Sequence, residues 1–141
     1  MGLFSWLSGS SKESSKITMQ IGELTNGPGT YSVDVVGESH YQEALEDICG
    51  GRTEKGHRLE VDAFLVPEDD NPHDPKAVCI YIQELSVGHL DRETARSFQK
   101  QMAAAGAAGR AIKCSAIIVG GWDRGGRDKG HFGVKIDLPT E

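Results

Sequence analysis

The stretch that decides the fold is residues 58–90, RLEVDAFLVPEDDNPHDPKAVCIYIQELSVGHL. Apolar and polar residues alternate over 58–66, which predicts a half-buried strand that Pro67 ends. An acidic loop stiffened by two further prolines follows, and apolar residues then return at Ala77–Ile82 and Leu85–Leu90. These runs predict two more strands. Successive strands with no helix between them favour antiparallel pairing over a doubly wound sheet.

Further strands and two short helices are predicted on either side of this stretch. Apolar alternation predicts strands at residues 31–36, 111–119 and 131–138. Apolar residues at helical spacing predict helices at Tyr41–Cys49, with Ser39 as N-cap, and from Arg92 to about Ala105, with Asp91 as N-cap. We therefore expect a mainly β (β-rich α+β) fold, a small OB/SH3-like antiparallel barrel of about six strands with two short helices.

The chain divides into a polar N-terminal segment and one domain. Its 141 residues suit a single domain of ordinary size. Because a serine-rich stretch cannot bury apolar area, we expect a flexible tail or linker over residues 1–29 and the folded domain over 30–139. Phe4, Trp6 and Leu7 form a short apolar group in the tail. They are interpreted either as an anchor for a partner or membrane surface, or as a segment that folds back on the domain.

Charge and cysteine content restrict the class of function. The net charge of −6 argues against a protein that coats nucleic acid by bulk electrostatics, although it allows a small local binding site. The three cysteines are far apart and form no CxxC pair, which indicates reduced thiols and a cytoplasmic protein. No apolar run reaches the ~20 residues that a membrane span requires.

Four motifs occur in a characteristic order. They are Val36–Gln42, Leu65–Val78 with its Asn-Pro-x-Asp-x-x-Ala-Val loop, Val87–Leu90 and Gly120–Trp122. This arrangement resembles the HIRAN domain family, and the absence of helicase and RING-type motifs suggests a free-standing bacterial member. The resemblance implies an OB-like barrel. It also implies binding to the 3′-hydroxyl end of single-stranded DNA, the activity of the family's best-understood member.

Two pairs of residues are candidates for contact with the DNA end, the first of them from the resemblance. His73 and Asp74 lie where the family uses an aromatic residue and an aspartate, and a carboxylate there can accept a hydrogen bond from the 3′-hydroxyl. The alternative is that Asp74 and Asn71 only satisfy the amides of their turn. His40 and Tyr41 follow the first strand, and their rings can stack on a base for ~1–3 kcal/mol. Tyr41 also suits the apolar face of the first helix.

Basic residues supply candidate phosphate contacts. His89 can donate to a phosphate, with Arg92 behind it in the first turn of a helix, where anions are favoured. The alternative is a half-buried histidine that bonds a carbonyl. Arg124, Arg127 and Lys129 form a basic glycine-rich loop, which either lines the path of a DNA strand or is an ordinary solvated loop.

We therefore expect a non-catalytic module that recognises single-stranded DNA, preferably its 3′-hydroxyl end, in DNA repair, replication or mobile-element biology. It is expected to be a monomer without cofactor or metal, with a DNA-processing protein as a further partner. The alternative is a protein-interaction adaptor with an acidic surface. A metal-dependent hydrolase is least favoured, because no two histidines have ligand spacing on one element.

Overall fold

A computed structural model describes residues 21–23 and 29–138, so the predicted roles of Phe4, Trp6 and Leu7 fall outside the described residues. The strands are β1 (Ile21–Glu23), β2 (Val33–Val36), β3 (His57–Pro67), β4 (Val78–Ile82), β5 (Leu85–Leu90), β6 (Ala111–Gly120) and β7 (Phe132–Ile136). The helices are α1 (Gln42–Cys49) and α2 (Arg92–Ala104), and a 3₁₀ turn covers Glu38–His40.

Strands β2 to β7 form a closed antiparallel barrel. The strand order is β6-β3-β4-β5-β2-β7, and β7 pairs again with β6 to close the ring. The longest pairing joins β3 to β6, from His57 opposite Gly120 to Leu65 opposite Ile112. The predicted mainly β fold, a barrel of six antiparallel strands with two helices, is confirmed.

The barrel is filled by apolar side chains that alternate along each strand. In β4 the members of the main hydrophobic core are Val78, Ile80 and Ile82. Residues Leu45 of α1 and Phe98 of α2 join the same core, so both helices close over the barrel. Cys79 and Tyr81 therefore lie on the outer face of β4, because successive side chains point to opposite faces.

Strand β1 is not predicted by the sequence analysis. Ile21–Glu23 pairs in parallel with Ala111–Lys113 of β6. It uses the part of that edge which β7 leaves open, since β7 pairs with β6 only from Ala116 onward. The strand lies within residues 1–29, where the sequence predicts a flexible tail or linker. The domain boundary between residues 29 and 30 stays a prediction.

The two helices differ in how they begin. Asp91 caps α2 as predicted, and its Oδ1 accepts a hydrogen bond from the Thr94 N–H at 2.8 Å. The prediction of Ser39 as the cap of α1 is wrong. Ser39 lies in the 3₁₀ turn, and Tyr41 occupies the N-cap position without a side-chain hydrogen bond. Within the part of the chain that the structure describes, no helix has the length and hydrophobicity needed to cross a bilayer.

Candidate nucleic-acid interface

The loop between β3 and β4, residues 68–77, is held in shape by its own polar groups. The Glu68 N–H donates to the Ala77 carbonyl at 2.9 Å, which closes the loop at its base. At the tip, Asn71 Oδ1 accepts from the backbone N–H groups of His73 and Asp74, at 2.8 and 3.0 Å. Asn71 and Asp74 therefore both satisfy amides of the turn, as the alternative to DNA contact expects, and these backbone hydrogen bonds set the position of Asp74.

Asp74 presents an ionised carboxylate. Its Oδ1 accepts from the Lys76 N–H at 3.0 Å, and its Oδ2 lies 3.4 Å from Arg92 Nε. The Lys76 hydrogen bond, followed by the Arg92 side chain, holds the pKa of Asp74 below its usual value. An ionised carboxylate has about four lone-pair positions. Asp74 can therefore accept a further hydrogen bond while keeping both partners.

His89 lies on β5 and faces the same loop. Its Nε2 is 3.2 Å from Glu68 Oε1, and the side chains are 33% and 28% exposed. The same carboxylate oxygen accepts from Asn71 Nδ2 at 3.0 Å, so Glu68 ties His89 to the loop. The partner of His89 is thus a carboxylate rather than a backbone carbonyl. A phosphate that approached Nε2 would have to displace Glu68, which leaves Arg92, 70% exposed, as the accessible donor.

Two tyrosines lie beside this pair. Burial raises the pKa of Tyr81 to about 12, and Cys79, Glu68 and Tyr41 are close enough to contribute to the shift. Tyr81 therefore keeps its hydroxyl proton at neutral pH. Tyr41 is half-buried at the start of α1, whereas His40 and His73 are exposed.

The structure thus gathers several predicted residues on one side of the barrel. We call this the Asp74 surface, and its members are Tyr41, Glu68, Asp74, Tyr81, His89 and Arg92. Sequence motifs do not mark Glu68 or Tyr81 as members. The available signal is that inward-facing Val78, Ile80 and Ile82 leave Tyr81 on the outer face.

One group on this surface has the chemistry of a metal site. Donor atoms of Glu68, Cys79 and His89 lie within 4.8 Å of one another, and carboxylate, thiolate and imidazole are the ligands that zinc uses. Burial raises the pKa of the Cys79 thiol, which favours the protonated form. Its sulfur lies 3.2 Å from Ser86 Oγ. Hydrogen bonds among neighbouring side chains therefore account for this cluster.

The predicted basic loop lies at the other end of β3. It follows Gly120, which pairs with His57 at the start of that strand, whereas the loop carrying Asp74 follows Pro67 at its end. The 11-residue strand has a contour length of ~33 Å. The structure therefore does not bring Arg124, Arg127 and Lys129 to the Asp74 surface.

Most of the charge of the basic loop has local partners. Arg124 Nε donates to the Glu54 carbonyl at 3.0 Å, and its guanidinium lies 5.3 Å from the centre of the Trp122 ring. Lys129 Nζ is 3.9 Å from Asp123 Oδ2, and Arg127 is exposed. These contacts favour the interpretation of an ordinary solvated loop.

Comparison with known proteins identifies a family whose match includes the residues of the Asp74 surface. The chain matches the HIRAN domain family over residues 28–119. No curated protein and no solved structure matches the chain. The match includes the Asn-Pro-x-Asp loop and the Val-Gly-His-Leu strand, which supply Asp74 and His89 of the Asp74 surface. Because it covers well over half of the chain, this protein belongs to the HIRAN domain family, a family of DNA-binding modules.

Proposed function

We propose that this protein binds the 3′-hydroxyl end of single-stranded DNA with the Asp74 surface and catalyses no reaction. The observation that carries the proposal is the state of Asp74. Its carboxylate is ionised, is held by the loop and retains free lone pairs. A terminal hydroxyl can donate to such an oxygen. A 3′-phosphate cannot donate when fully ionised, and its negative charge is repelled.

The neighbours of Asp74 supply the remaining contacts that a DNA end needs. Arg92 lies beside the carboxylate and is largely exposed, so it can pair with the last phosphodiester. Tyr41 and the exposed rings of His40 and His73 offer faces on which unpaired bases can stack. Glu68 occupies His89 Nε2, so His89 acts in this proposal mainly by fixing the loop.

The test compares two oligonucleotides that differ only at the 3′ end. We expect fluorescence anisotropy at low salt to show tighter binding of the 3′-hydroxyl form, by roughly 10- to 100-fold, the size expected for one hydrogen bond to a charged group. Asp74→Asn should remove most of this preference, because the amide is neutral and its orientation is set by the Lys76 N–H. Asp70→Asn, an exposed change in the same loop, is the matched control.

Equal affinity of the wild type for the two ends would contradict end recognition. Thermal unfolding of Asp74→Asn separates a lost contact from a disordered loop, since Asn71 continues to hold the tip in the variant. Absence of binding to either oligonucleotide would favour the alternative, a protein-interaction adaptor with an acidic surface.

The biological setting forms part of the same proposal. A module that recognises free 3′ ends suits DNA repair, replication or mobile-element biology, where such ends arise. We propose that it works as a monomer in the cytoplasm and delivers the DNA end to a DNA-processing protein. Sedimentation of the purified protein with and without the oligonucleotide tests the monomeric state.

A further inference from the structure

An open groove runs between α2 and the loop that carries Asp74. Its volume is about 670 Å³, which is within the range of ligand-binding pockets. The walls are formed by residues of the loop, of α2 and of the turn after it, namely Asp69, Lys76, Arg96, Gln99, Lys100, Ala103, Ala108 and Gly109. Gln99 Nε2 donates to the Lys76 carbonyl at 3.1 Å, so the two sides of the groove are joined.

The groove is basic in an acidic protein. Lys76, Arg96 and Lys100 contribute three positive charges and Asp69 one negative charge, a local balance of +2 in a chain of net charge −6. Arg96 and Lys100 are exposed. The groove therefore favours an anionic ligand of extended shape.

The groove is continuous with the Asp74 surface. Arg92, Arg96 and Lys100 occur at intervals of four residues on α2, so they lie on one face at steps of ~6 Å. Arg92 pairs with Asp74, and the charge of Arg96 is close enough to help lower the pKa of the same carboxylate. Positive groups thus lead away from Asp74 in a single line.

We propose that this groove binds the phosphates of single-stranded DNA upstream of the 3′ end, with Arg96, Lys100 and Lys76 as the contacting residues. The direction of the strand rests on the function proposed above. The 3′-terminal nucleotide lies at Asp74, and the chain extends in the 5′ direction along α2. The site binds any sequence, because phosphates carry no base information.

The test combines a charge-removing variant with two lengths of DNA. Arg96→Gln/Lys100→Gln should lower affinity for a dodecamer with a 3′-hydroxyl by about tenfold. A trinucleotide that ends before the groove should bind as it does to the wild type. The slope of log affinity against log salt should become shallower by about 1.4, since each single-strand phosphate contact contributes ~0.7. Lys55→Gln/Arg58→Gln, two exposed cations near the start of β3, removes the same charge and should change none of these.

Neutral methylphosphonate linkages locate the contact on the DNA. Replacing the linkages beyond the third nucleotide from the 3′ end should weaken binding to the wild type. The same replacement should have little effect on Arg96→Gln/Lys100→Gln, because the partners of those phosphates are already absent.

Each outcome decides between the two proposals. An unchanged salt slope in Arg96→Gln/Lys100→Gln overturns the groove site, whatever the 3′-end preference. A reduced slope with equal binding of 3′-hydroxyl and 3′-phosphate DNA supports the groove and contradicts end recognition. Absence of wild-type DNA binding overturns both. Poly-glutamate serves as the probe for an acidic protein partner. If Arg96→Gln/Lys100→Gln loses binding to poly-glutamate but keeps its affinity for DNA, the groove is assigned to such a partner and its role with DNA is overturned.

Discussion

Gly88, in the Val-Gly-His-Leu strand, shows how one residue brings His89 into place. A Cβ atom at Gly88 would lie 2.4 Å from Val35 Cγ1 and 2.7 Å from the Val36 carbonyl oxygen. Its φ of +146° is also one that side chains rarely adopt. Glycine therefore lets β5 approach β2, which pairs His89 with Val36 and places the 3₁₀ turn that follows β2 next to β5.

Gly88→Ala is expected to lower the free energy of unfolding by several kcal/mol, as strained or overpacked core positions do. Gly126→Ala is the control, because Gly126 also has a positive φ, +59°, but has open space around its Cα. Urea unfolding of both variants measures the difference. Similar losses would show that backbone strain, rather than the close contact of β5 with β2, dominates.

Helix α2 matters to both proposed sites, because it carries Arg92, Arg96 and Lys100 on one face. Its first turn is secured by Asp91, whose two carboxylate oxygens accept from Thr94 N–H and Thr94 Oγ1, each at 2.8 Å. The N–H bond is the main reason that the pKa of Asp91 lies below its ordinary value. The cap therefore also stabilises the position of Arg92.

Asp91→Ala is expected to cost about 1 kcal/mol of stability at pH 7, the usual effect of losing an N-cap. The pKa of Asp91 is lower in the folded than in the unfolded state. Its contribution is therefore complete above the unfolded value of ~3.9 and declines as the pH falls through the lower folded value. Asp91→Asn keeps a capping oxygen that does not titrate.

Urea unfolding at pH 7 and at pH 3 distinguishes the wild type, Asp91→Ala and Asp91→Asn. Asp91→Asn should be close to wild type at pH 7 and should lose less stability than wild type at pH 3. An identical loss in wild type and Asp91→Asn would show that other carboxylates account for the acid sensitivity of the helix.

Across the whole molecule, the two ends of the described domain are joined by Asp137. This buried residue follows β7, and its Oδ1 accepts from the Gly29 and Tyr31 N–H groups at 2.8 and 3.3 Å. Tyr31 has a positive φ of 49°, an uncommon conformation outside glycine. The carboxylate thus holds the entry to β2 against the exit from β7.

Asp137→Ala is expected to lower the free energy of unfolding by about 2–3 kcal/mol, because two backbone donors lose a charged acceptor. Asp137→Asn retains one acceptor oxygen and should give a smaller loss. Chemical denaturation measures both. Amide hydrogen exchange at Gly29 and Tyr31 should accelerate in Asp137→Ala, and unchanged exchange would show that these contacts do not hold the segment.

The distribution of charge is likewise a property of the whole molecule. The net charge of −6 argues against a uniformly basic surface. The basic groove beside α2 arises because Lys76 comes from a loop, and Arg96 and Lys100 from a helix. In the sequence Lys76 stands 20 residues before Arg96, and three uncharged residues separate Arg96 from Lys100, so no run of charge marks them.

Sequence alone was sufficient to predict the six barrel strands, both helices, the Asp91 cap and the loop with Asp74. These features depend on local periodicity, capping and proline, which are encoded within a few residues of one another. Tertiary structure alone decided the pairing of β1 with the open edge of β6, the link between Glu68 and His89, and the separation of Arg124 from Asp74 by the length of β3. Such contacts depend on which strand edges remain free and how the barrel closes, and no local pattern specifies either.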